Sequence, residues 1–144
     1  MKIESRPSGK DIDAWQPVES LQVERLAREL TQKVYRLSKK PGFAKDYGLK
    51  RQIQDGAGSS MHNIAEGFDS ETNAEFIRFL RYAKRSCTEV QSELYVALDE
   101  EYISPNEFKD VYEQARRIPQ KRDCRSWFHQ LFVRPRGSRQ AQEI

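Results

Sequence analysis

Two pairs of polar residues stand at helical spacing in the middle of the chain, Asn63 with Glu66 and Ser86 with Glu89. Residues three apart share one side of a helix. Two facing helices carrying these pairs would therefore form a polar patch, able to meet an RNA phosphate or a base edge. The same groups can equally make a hydrogen-bonded cluster that fixes the register of two helices, because buried polar groups need partners. A carboxylate pair has the wrong charge for holding phosphate, so a structural role is the expectation for Ser60, Asn63, Glu66, Gly67, Ser86 and Glu89. General acid–base chemistry would also require a cleft and a nucleophile beside these acids. His62, four residues before Glu66, could share a metal ion with it, yet no third or fourth ligand stands nearby. His129 is isolated, and Cys87 and Cys124 lack the paired spacing of a zinc site. No catalytic residue, metal or cofactor is expected, and the chain reads as non-enzymatic.

The basic residues are more informative. Residues 21–50 hold eight cations and three anions, residues 51–115 six and thirteen, and residues 116–144 eight and two. The formal net charge of +3 is thus the remainder of a segregated distribution. Arg116, Arg117, Lys121, Arg122 and Arg125 crowd the end of the last helical pattern, and Arg134, Arg136 and Arg139 continue the charge beyond it. Such a cluster has the form of a phosphate-backbone footprint, since each neutralised phosphate releases counterions whatever the base sequence. It is also what a solvated helix end with a basic tail looks like. Trp127 and Phe128 sit among these cations, where they would stack on bases or anchor a subunit interface. Arg78, Arg81 and Arg85, with Lys84 beside them, make a smaller stripe for which pairing with Glu71, Glu75 and Glu89 is expected.

These residues must be positioned by a chain of 144 residues with 33% charged and 37% hydrophobic side chains and a mean hydropathy of -0.88. That length suits one domain with its own core. No apolar run approaches the ~18 residues of a membrane span. The first twenty residues mix acids and bases without an apolar stretch, unlike a secretory signal. With two cysteines and no disulfide framework, a cytoplasmic setting is expected.

Glycine and proline punctuate the sequence into four helical patterns. Residues 1–16 lack a sustained period and read as a flexible arm, around an unexplained Trp15. From Pro17 to about Lys39, Leu26, Leu30, Val34 and Leu37 form one face, which Pro41 and Gly42 end. The second pattern runs from Leu49 through Ile53, Ala57, Met61 and Ile64 to Phe68. Gly56 and Gly58 cost it about 1 kcal/mol each, but the periodicity on both sides predicts an unbroken helix. Thr72 and Glu75 then form a capping box ahead of a heptad seam of Phe76, Leu80, Ala83, Cys87, Val90, Leu94 and Ala97. Ser104, Pro105 and Glu107 open the fourth helix. Its face is Phe108, Val111, Ala115 and Ile118, with a kink expected at Pro119 before Cys124, Phe128 and Leu131 resume the pattern. Short connections between four amphipathic helices predict an all-α, antiparallel up-and-down four-helix bundle over residues 17–132, with residues 133–144 as a disordered basic tail.

Tyr47, Gly48, Leu49, Gln52 and Ile53, then Ser59 or Ser60, then Asn63-Ile64-Ala65-Glu66-Gly67, followed by Ser86 and Glu89 on the next helix, resemble the signature of the 23S rRNA intervening-sequence proteins. The resemblance covers roughly residues 20–131. It implies a bacterial four-helix bundle protein, a ring-like homopentamer, and association with ribosomal RNA inserts. A similar fold serves as the accessory protein of diversity-generating retroelements, which adds a reverse transcriptase, RNA or DNA to the expected partners. The chain departs from the pattern at Gln54, Asp55, Phe68, Asp69, Ser70 and Arg85. These changes strip positive charge from the second helix and move the expected contact to Arg116, Arg117, Lys121, Arg122, Arg125, Arg134 and Arg136. In a ring, each basic patch is repeated and its field strengthened. The leading function is RNA or ribonucleoprotein binding, and the competitor is a protein-interaction scaffold without nucleic-acid contact.

Overall fold

A computed structural model describes residues 21–118. Its elements are α1 (Leu21–Ser38), a single short helix α2 (Pro41–Lys45), α3 (Tyr47–Asp69), α4 (Asn73–Asp99) and α5 (Pro105–Arg116). All the regular structure among the described residues is helical. The expected arm at residues 1–16, the kink at Pro119 and the tail at 133–144 lie outside those residues, and α5 ends three residues before that proline, as helices commonly do.

Local chemistry sets the boundaries. Asp46 caps α3 by accepting from the Leu49 N–H at 3.1 Å. Thr72 caps α4 by accepting from the Glu75 N–H at 3.2 Å, which is the hydroxyl half of the predicted box. At α5 both halves form: Ser104 Oγ accepts from the Glu107 N–H at 3.1 Å, and Glu107 Oε1 accepts from the Ser104 N–H at 2.9 Å. Pro41 does more than stop the first helix, because it occupies the first turn of α2 and seats Phe43 in the core.

The end of α4 is a Schellman motif without glycine. The Glu101 N–H donates to the Leu98 carbonyl at 3.0 Å and the Tyr102 N–H to the Ala97 carbonyl at 2.9 Å. Glu101 has φ of 58°, a left-handed conformation that glycine would occupy without strain.

Each long helix turns a periodic face inward. α1 buries Val23, Ala27, Leu30, Val34 and Leu37, and Leu26 stands at the margin of that stripe. The whole predicted seam of α4 from Phe76 to Ala97 is buried. α5 contributes Val111, Gln114 and Ala115, while Phe108 lies half-buried beside them. Full burial of one such Leu, Ile or Phe side chain contributes roughly 1.5–3 kcal/mol.

α3 runs unbroken through its glycines. A Cβ on Gly56 would lie 3.0 Å from Val90 Cγ2, and one on Gly67 3.2 Å from Phe79 Cβ, so both glycines let α4 approach. Gly58 has nothing within 4 Å, and its lost propensity is not repaid by contact.

The helices pack as α1 on α3, α3 on α4, α4 on α5 and α5 on α1. Partners descend along one helix as they ascend along the next. Gly56 meets Val90 while Gly67 meets Phe79, and Tyr95 meets Phe108 while Gln91 meets Tyr112.

Candidate nucleic-acid interface

Arg116 and Arg117 lie exposed at the carboxyl end of α5, where the helix dipole favours cations. The Arg116 guanidinium stands 3.5 Å from Glu113 Oε1, a loose exposed pair worth little to stability. Lys121, Arg122, Arg125, Arg134 and Arg136, together with Trp127 and Phe128, lie outside the described residues. The upstream stripe on α4 is open. Arg78, Arg81 and Arg85 are exposed, and among the described residues none of them makes an ion pair, in place of the pairing expected with Glu71, Glu75 and Glu89. Arg78 instead stands over the neighbouring Phe79 ring at 5.6 Å.

Next to α5 three aromatic rings gather at the surface. Tyr95 of α4 packs on Phe108 at 4.9 Å and on Tyr112 at 5.8 Å between ring centroids, and Phe108 and Tyr112 are 5.2 Å apart. Tyr95 remains 50% exposed. The neighbouring Tyr112 hydroxyl holds that of Tyr95 above its usual pKa.

The polar residues singled out from the sequence divide into two groups. Ser59, Asn63 and Ser86 meet between α3 and α4. The Asn63 amide donates to the Ser59 carbonyl at 2.8 Å and to Ser59 Oγ at 3.2 Å, and the Ser86 and Ser59 hydroxyls are 3.0 Å apart. The bridging serine is thus Ser59. Ser60 is buried and donates to the Ala57 carbonyl of its own helix at 2.7 Å. Gly67 is the close-approach point already described, while Glu66 and Glu89 are exposed and take no part in this cluster. The network fixes register and leaves little polar capacity for a ligand. His62 is exposed, and among the described residues no three His, Cys, Asp or Glu side chains converge as a metal site would require. Cys87 is fully buried, and burial pushes its thiol up to about 12, against smaller opposing effects from Lys84 and Ser60. It packs as a small apolar side chain.

Several polar features had no periodic signal. Gln114 is buried between α5 and α1, donating to the Leu26 carbonyl at 3.0 Å and to Glu29 Oε2 at 3.2 Å. Lys33 pairs with Asp110 at 2.8 Å, and Lys40 with Glu107, whose carboxyl is held below its usual range by Lys40 and by the Ser104 N–H. The Tyr102 hydroxyl donates to Asp46 Oδ2 at 3.1 Å and ties the α4–α5 loop to the start of α3. A cleft of about 860 Å³ opens between α3 and α4, with Leu49 and Val96 in its wall and Asp55, Glu89 and Glu93 lining it. Glu93 Oε2 is buried beside Gly56 with no hydrogen-bond partner among the described residues. Burial first, then the charges of Glu89 and Asp55, push the Glu93 carboxyl up to about 7.

The described residues are thus all-helical, with a glycine-mediated α3–α4 contact, a Ser–Asn cluster at their junction and a basic α5 terminus. The 23S rRNA-intervening sequence protein family matches residues 19–121, and the chain belongs to it. Among solved structures, a protein of unknown function from the S23 ribosomal protein family of Bacteroides thetaiotaomicron is similar at 21% identity and a TM-score of 0.65. The match covers 74% of this chain and 97% of that one. At that identity the likeness speaks for the fold. No curated protein matches the chain. No described helix is long and apolar enough to cross a membrane.

Proposed function

We propose that this protein is a non-enzymatic nucleic-acid-binding protein, acting on RNA or a ribonucleoprotein through the basic surface at the end of α5. The observation that carries the reading is the placement of Arg116 and Arg117, exposed at the carboxyl end of the helix and followed in sequence by six more cations against two anions in residues 118–144. Arg81 and Arg85, exposed on α4 and without an ion pair among the described residues, add to it. Family membership supports RNA as the polymer. The order of helix contacts supports an antiparallel up-and-down bundle, and the exposed side chains Tyr35, Tyr47 and Val96 support its assembly into a homo-oligomer, which the resemblance makes ring-like and places in a bacterial cytoplasm. Five subunits are the number the resemblance favours, and a reverse transcriptase or another nucleoprotein is a further partner it suggests.

The experiment is recovery and sequencing of nucleic acid bound to the native protein, with light scattering on a sizing column for its assembly. Enriched RNA on an oligomer is the expected result. Protein free of nucleic acid and monomeric at every concentration overturns the reading.

A further inference from the structure

The surface joining α4 to α5 changes character along its length. Arg81, Arg85, Thr88, Ser92 and Tyr95 follow one another at intervals of four, three, four and three, so they share an outward stripe on α4, and all five are exposed. The stripe starts at arginines and ends at a tyrosine. On α5, Phe108, Tyr112 and Arg116 are spaced four apart, a second row that runs from aromatic rings to an arginine. Tyr95 contacts both Phe108 and Tyr112, so the two rows touch at their aromatic ends. With 1.5 Å of rise per residue, Arg81 and Tyr95 are about 21 Å apart along the helix, room for a short run of nucleotides.

The charges are arranged to suit a polyanion. Glu89, Ser92 and Glu93 of α4 line the cleft shared with α3, so the stripe borders that cleft at Ser92 and the two carboxylates lie on its α3 side. Asp110 is engaged by Lys33, and Glu113 stands beside Arg116. Asp99, one turn beyond Tyr95, closes the aromatic end with a negative charge and leaves the arginine end as the direction in which phosphates would continue.

We propose that this strip holds single-stranded RNA, with bases stacked on the Tyr95–Phe108–Tyr112 cluster and the adjoining phosphates on Arg81, Arg85 and Arg116. The inference rests on the nucleic-acid reading and narrows it. An aromatic platform gains from unstacked bases, whose faces a duplex keeps covered, so the strip selects single strands where arginines alone would accept both. A purely structural ring cluster would need no arginines at its end and no half-exposed ring.

The test uses the full chain and fluorescence anisotropy with labelled oligo-A and an RNA duplex of the same length. Tyr95→Leu keeps apolar bulk against Phe108 but removes the π face, and Tyr95→Phe restores it. Base–aromatic stacking predicts that Tyr95→Leu weakens oligo-A binding about tenfold, that Tyr95→Phe binds like the wild type, and that neither changes duplex binding or the salt slope. Unchanged oligo-A affinity in Tyr95→Leu, or an equal loss on the duplex, overturns the proposal while leaving the basic-surface reading standing. Failure of the wild type to bind either polymer at low salt overturns both. Circular dichroism melting confirms that each variant is folded.

Discussion

Replacing Glu93 by Gln should stabilise the protein, and more so as pH rises. The Glu93 carboxyl sits in the α3–α4 cleft with Oε2 buried and unpartnered among the described residues, facing Glu89 and Asp55. Its pKa rises from 4.5 to about 7 on folding. A raised carboxyl favours the protonated native state, so its contribution is fully present below the unfolded pKa and is lost as pH climbs through about 7. At 1.36 kcal/mol per unit, the shift converts to about 3 kcal/mol. Because the side chain is half open to solvent, screening reduces this to about 1–2 kcal/mol. Gln keeps the shape without the charge. The assay is urea unfolding of both proteins at pH 4 and pH 8, taking the difference between them at each pH so that titrating groups remote from Glu93 cancel. The advantage of Gln should be about 1–2 kcal/mol larger at pH 8. An advantage independent of pH, or a variant less stable at pH 8, would refute the reasoning about this cleft.

Three further outcomes follow from the backbone and the core. Gly58→Ala should raise stability by up to about 1 kcal/mol, since its Cβ meets nothing within 4 Å, whereas Gly67→Ala should lower it because Phe79 Cβ, anchored to its own backbone, blocks the site at 3.2 Å; equal effects in thermal melts would contradict the packing described. Glu101→Gly should stabilise by about 1 kcal/mol by relieving the left-handed residue at the end of α4, and a drop in melting temperature would show that the side chain matters more than φ. Cys87 should resist iodoacetamide at pH 8 in the native state and react after denaturation, read by mass spectrometry of its peptide.

Apolar period and capping chemistry made most of the fold legible. The α4 seam needed only its spacing, and Ser104-Pro105 with Glu107 announced the start of α5 to the residue. The unbroken α3 could be inferred because the period continued past Gly56, but the two glycines looked alike in sequence and differ in space. Glu101 gives no signal in sequence, because a Schellman end normally advertises itself with glycine. In sequence α2 cannot be told from a stop, since Pro41 both ends one helix and can begin another. In the candidate site, exposed charges follow from local sequence, whereas the partners of Gln114 and Tyr102 and the burial of Glu93 are set by other elements and carry no periodic mark. The aromatic cluster was hidden for the same reason: Phe108 reads as core, and only the position of Tyr95 across from it shows that the cluster reaches the surface.

The central claim is that RNA binds through the basic surface that starts at Arg116. Its most direct test is RNA affinity measured between 50 and 200 mM salt for the wild type and for a variant with Arg116, Arg117, Lys121 and Arg122 all changed to Ser. Phosphate neutralisation predicts a steep linear fall of log affinity with log salt concentration. The variant should bind more weakly at every salt concentration, with a shallower slope and an unchanged far-ultraviolet spectrum. Affinity and slope equal to those of the wild type would contradict the account.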